Sequence, residues 1–138
     1  MLRSRALASD RWGLVGLRIV VGALFIVHGW QKLIAGGGGP AFAGGLAHMG
    51  FSPGVIWAWI VTIVEFGGGI CLLFGVLVRP AATLIVIEML VAIAKVNVRR
   101  GFYWTQGGWE MPALMALLAA ILAVTVPGSR PAGNRRAL

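Results

Sequence analysis

The chain has 138 residues, 59% of them hydrophobic and only 12% charged, with a mean hydropathy of +0.89. A soluble domain needs roughly a quarter of its residues charged to cover its surface, so this composition excludes an ordinary water-soluble protein. The net charge of +8 sits largely on residues flanking apolar runs rather than on a basic face, which argues against nucleic acid as a partner.

Residues 1–11 carry Arg3, Arg5 and Arg11 and read as a basic cytoplasmic N-terminus. The first apolar run is Trp12 to Ile34, broken only by Arg18, His28 and Lys32 at its polar positions. It is too long for the apolar part of a cleavable signal peptide and has no A-x-A exit. Arg18, Gly22, Phe25, Gly29 and Lys32 fall on one helical stripe, with His28 at its flank. The connection from Ala35 to Gly54 opens with four glycines and Pro40 but has no lysine and serine to complete a phosphate loop. Further on, Phe42, Leu46 and Met49 recur at i, i+4 and i+7, which predicts a short helix lying in the membrane interface, with His48 as an interfacial residue.

The second run, Val55 to Val78, contains Glu65 on the same face as Ala58, Thr62, Gly68 and Gly69. Cys71 lies in this run and, as the single cysteine, can form neither an internal disulfide nor a thiol pair; packing is its expected role. Little more than Arg79 separates this run from the third, Pro80 to Val98, so the two should form a tight antiparallel hairpin. Ala81, Leu84, Glu88, Ala92 and Lys95 make one stripe of the third run. The fourth is Trp109 to Val126, with Glu110 at its start and Pro127-Gly128 as its stop. Residues 129–138 form a second basic tail, with Arg130, Arg135 and Arg136. Each run is near the ~20 residues that cross ~30 Å of hydrocarbon.

These elements predict an all-α membrane protein: an antiparallel four-transmembrane-helix bundle over residues 12–128, with a short interfacial segment between the first two helices. Basic residues concentrate on the side that holds both termini and Arg79, which places both termini in the cytoplasm; Arg99 and Arg100 are the opposing signal. Trp12, Trp30, Trp57, Trp59, Trp104 and Trp109 suit interface anchors.

Charges inside a bilayer cost ~2.5–3.5 kcal/mol on insertion scales and turn inward to find partners. Depth along the spans suggests an inner structural pair of Arg18 with Glu88 or Glu65, and an outer polar site drawn from His28, Lys32, Glu65, Lys95 and Glu110. Within that group, His28, Glu65 and Glu110 are expected to form one inward-facing site open to the outer side. Two histidines fall short of a zinc site, and one histidine within a span argues against haem.

The order Arg18-x3-Gly22-x2-Phe25-x2-His28-Gly29-x2-Lys32-Leu33 resembles the first-helix signature of the DoxX family of small bacterial membrane proteins. Glu65-x2-Gly68-Gly69-x2-Leu72-x2-Gly75-x3-Arg79 is similar to its second-helix signature, and Gly101-Phe102 with Gly107-Gly108-x-Glu110 to its third. Asn97 stands where members often have histidine, no aspartate follows the last helix, and Glu88 is not a family position. The resemblance implies a four-helix bundle in a bacterial plasma membrane. It also implies a role beside oxidoreductases such as thiosulfate:quinone oxidoreductase or with thiol-defence proteins, possible homo-oligomers, and quinone as the candidate ligand. Three functions are weighed: a subunit of a membrane redox complex, a non-catalytic assembly module, and a small transporter coupled to protons through Glu65. Transport lacks the internal repeat that alternating access would use, and thiol exchange lacks a second cysteine.

Overall fold

The computed structural model describes residues 2–34 and 40–126, and these contain helices and turns with no strand. Helix α1 spans Leu2–Ile34, α2 Pro40–His48, α3 Gly54–Phe74, α4 Val78–Ala92 and α5 Glu110–Thr125. Beyond α4 the chain stays helical through a π turn, Ile93–Asn97, and a 3-10 turn, Val98–Arg100. Three segments are long and apolar enough to cross a membrane: Trp12–Ile34, Gly54–Phe74 and Val78–Arg100. Helix α5 is apolar but has 16 residues, a length of about 24 Å.

Several boundaries differ from the sequence reading. The α1 backbone is helical from Leu2, ahead of the first span, Trp12–Ile34. The break between the second and third spans falls at Gly75–Leu77 rather than at Arg79. Gly75 takes the left-handed conformation (φ 75°) that ends a helix, and the Val76 N–H closes the cap on the Cys71 carbonyl at 2.9 Å. Pro80 then sits in the first turn of α4, where its missing N–H costs nothing. The four-glycine run and the tail at 129–138 lie outside the described residues.

Glycine sets how α1 meets α3. A methyl group at Gly22 would lie 2.7 Å from the Leu73 nitrogen, and one at Gly69 would lie 2.7 Å from the Ile26 nitrogen. One at Gly29 would overlap the Phe66 backbone. The two backbones therefore touch, in the manner of small-residue contacts within membranes. As positions rise along α1 they fall along α3, so the helices run in opposite senses. This stripe matches the one read from the first run.

Helix α4 packs on α3 through side chains, with Ile85 against Gly68, and on α5 through a core of Ala82, Ile85, Ala119 and Leu122. At one end of this second pair, Arg79 Nε donates 3.1 Å to the Ala123 carbonyl, satisfying an acceptor in the last turn of α5. At the other end, Asn97 Nδ2 donates 2.7 Å to the Gly107 carbonyl.

Helix α2 lies across the start of α3. Ala43 and Leu46 bury against Ala58, with Phe42 and Phe51 packed around them. Gly54 has no room for a side chain beneath the Ala43 carbonyl. The i, i+4 stripe predicted for this connection is the face that α2 turns toward the protein.

Candidate functional site

Beneath α2 lies a cavity of about 320 Å³. Phe42, Leu46, Met49 and Phe51 cover it; Trp57, Ile60, Val61 and Val64 of α3 form one wall, and Leu84, Ile87, Met89 and Val91 of α4 the other. Only three lining residues are charged: Lys32, Glu65 and Glu88.

Each arrives by the packing just described. The glycine contacts fix the register of α1 on α3, and that register brings Lys32 Nζ to 2.5 Å from Glu65 Oε2. Glu65 is 97% buried on the face it shares with Ala58, Thr62 and Gly69. The two are in ion-pair contact at an angle outside that of a hydrogen bond. Lys32 also lies 5.6 Å from the centre of the Phe42 ring, within cation–π range. Glu88 reaches the cavity from α4, within electrostatic range of both Glu65 and Lys32. Among the described residues its Oε2 is buried and has no hydrogen-bond partner.

The structure therefore brings together Lys32 and Glu65 from the predicted polar site and adds Glu88, which the sequence reading assigned to a structural pair. It places the other candidates elsewhere. His28 is exposed on the outer face of α1, its ring Nδ1 2.9 Å from the Leu24 carbonyl one turn back. Glu110 accepts a 3.1 Å hydrogen bond from the Trp104 N–H and so clasps the loop before α5. The glycines around it serve the same loop, for a methyl on Gly108 would strike the Gly101 and Phe102 carbonyls. His28, Glu65 and Glu110 thus do not share a pocket.

Lys95 is exposed because it lies in the π turn, where the Val98 N–H bonds back five residues to Ile93. The wider turn shifts the phase of the helix, and Val96 lines the cavity in place of Lys95. Arg18 pairs with neither Glu88 nor Glu65; its guanidinium lies against Gly75 at the C-terminus of α3, where the helix dipole favours a cation. No group of three or more His, Cys, Asp or Glu side chains suited to a metal occurs among the described residues.

Apolar walls with charge gathered at one place suit an amphipathic molecule, whose tail the walls accept and whose polar head meets Lys32, Glu65 and Glu88. The volume is at the lower end for small-molecule sites, enough for one ring-sized head and a short stretch of tail.

Comparison with known proteins points the same way as the motifs. A family model described as DoxX matches residues 13–98. The chain is 30% identical over 118 residues to a Bacillus subtilis protein named "Putative oxidoreductase CatD", covering 86% of this chain and 81% of the relative. No solved structure matches.

Proposed function

The chain belongs to the DoxX family of membrane proteins, and from that premise we propose that it is the membrane-embedded subunit of an oxidoreductase complex, with the cavity beneath α2 taking a quinone headgroup. The carrying observation is an apolar cavity whose three charged residues, Lys32, Glu65 and Glu88, come from three different helices. Lys32 supplies a donor for a quinone oxygen, Phe42 and Trp57 supply flat apolar surface for the ring, and the carboxylates supply acceptors. The name of the Bacillus subtilis relative is consistent with redox work.

The same reading includes four membrane crossings in an antiparallel bundle, with both termini in the cytoplasm of a bacterial plasma membrane and lipid around it. Helix α5 makes the fourth crossing: it packs on α4, with Arg79 bonded to Ala123 at one end and Asn97 bonded to Gly107 in the loop before α5 at the other, and its shortness is the kind of mismatch that a bilayer absorbs by thinning. Purification in mild detergent tests the function. Recovery of a flavin-, haem- or thiol-bearing protein, together with extractable quinone that is lost in Lys32→Ala, is the expected result. Recovery of the chain with neither would reject the proposal.

A second reading, an assembly module without chemistry, draws on His28. With Gln31 it puts polar side chains on an exposed face of an otherwise apolar span, where a partner subunit or second copy would give them company.

A further inference from the structure

Resting on the quinone reading, we propose that the ligand is a membrane-dissolved quinone whose tail leaves the cavity sideways, through a slot between α3 and α4, into the leaflet on the α2 side. Size requires an exit. A cavity of about 320 Å³ holds one ring-sized head and a short stretch of chain, so a longer tail has to pass out of it. Most sides are shut. Behind the carboxylates the α1 and α3 backbones touch, leaving no room for a methyl at Gly29 beside Phe66. Toward the turn that joins α3 to α4, Ile85 closes on Gly68, where a methyl would lie 3.2 Å from the Ile85 Cδ1. Above, α2 is seated on α3, with Ala43 and Leu46 buried and Gly54 tight beneath the Ala43 carbonyl. Toward α5, α4 presents the packed face of Ala82 and Ile85.

The remaining side is open. Ile60 of α3 and Leu84, Ile87 and Val91 of α4 line the cavity, yet they are 44%, 52%, 53% and 40% exposed. All four lie within segments that are long and apolar enough to cross a membrane, so their outward surfaces meet hydrocarbon rather than water. On α3 the cavity wall runs from Trp57 to Val64, which makes the slot ~10 Å tall. On α4, Glu88 falls between Leu84 and Val91 on one helical face, with its Oε2 buried behind the rim they form. A head that reaches Glu88 and Glu65 therefore has the slot at its back. A tail leaving there stays in hydrocarbon throughout, whereas a path over α2 would carry it toward water.

Two photoreactive decyl-benzoquinones test this on the full chain in lipid nanodiscs, one with a diazirine in the tail and the other with an azide on the ring. Labelled residues are read by peptide mass spectrometry, and label that disappears on adding excess plain decyl-benzoquinone marks the site. The tail probe should place such label on Ile60, Leu84, Ile87 or Val91, and none on Ile63, which is 63% exposed on α3 but lies outside the cavity lining. The ring probe should mark the cavity around Glu65 and Glu88. Competed tail label on Phe42, Leu46 or Met49 would overturn the sideways exit, and the ring label would leave the quinone site standing. Tail label that resists competition and falls equally on Ile63 and the rim would show a chain merely dissolved in lipid, and would overturn the slot as well. Absence of competed label from the ring probe would reject the quinone reading and this inference with it.

Discussion

Replacing Lys32 with methionine keeps the apolar stem and removes the ammonium, which leaves the Glu65 carboxylate without the cation that faces it. Glu65 has a side chain only 4% exposed, while that of Lys32 is 27% exposed. Stranding one partner of a buried ion pair costs about 3–5 kcal/mol, and the partial exposure of Lys32 puts this case near about 3. The reverse change, Glu65→Gln, should cost less, about 1 kcal/mol, because the lysine stem can carry its charge toward the membrane surface. In the double variant no charge is stranded, so it should be more stable than Lys32→Met alone, a coupling of about 2 kcal/mol. Unfolding in mixed micelles with rising dodecyl sulfate, read by helical circular dichroism, measures all four corners of the cycle. Strictly additive losses, or two single changes that are equally harmless, would show that the pair is a solvent-screened contact and refute the reasoning.

Gly29→Ala should lower stability by about 1–3 kcal/mol in the same assay, since its methyl overlaps the Phe66 backbone, whereas Gly16→Ala, with open space around it, should change little. Glu110→Ala should speed hydrogen exchange at the Trp104 amide and make the 101–109 loop easier to nick in limited proteolysis, while quinone binding persists because Glu110 does not line the cavity. Cys71 is absent from the cavity lining and packs against the α1–α3–α4 core, so Cys71→Ala should complement a deletion strain at normal protein levels. A reporter active only in the cytoplasm should give signal when fused to the C-terminus, and silence from a well-inserted fusion would reverse the orientation.

The sequence made the faces of helices legible and left the pairing between them obscure. Gly22, Phe25 and Gly29 form the buried stripe of α1, and Ala58, Thr62, Glu65 and Gly69 that of α3, because 3.6-residue periodicity is a local property. Which charges meet depends on how far one helix slides along the next. Depth alone placed Arg18 beside an acid; contact of Gly22 with Gly69 and Leu73 instead aligns Lys32 with Glu65 and Arg18 with the end of α3. On α4 the buried stripe runs through Ala82, Ile85 and Met89, so Glu88 sits at its flank and Leu84 is exposed. There the periodicity fixed the spacing but not the direction that faced the core. Lys95 was misplaced for a separate reason: a π turn interrupts the period, and no proline or glycine between Ile93 and Asn97 announces it. Glu110 drew attention as an acid near a membrane span, when its partner was a backbone amide that no side-chain pattern reveals.

The backbone contact between α1 and α3 also decides where the molecule can give way. At Gly22, Gly29 and Gly69 no side chain stands between the two backbones to rotate aside, so along these contacts the helices behave as a stiff spine. Helix α4 meets the same spine through Ile85, whose terminal carbons can swing between rotamers. A bulky guest reaching the buried carboxylates therefore enters like a card slid into a hinged wallet, by displacing α4 or the short α2 flap and never by splitting the spine. Substitutions that stiffen α4 would then govern how long entry and exit take, and those along the spine would govern whether there is a pocket at all.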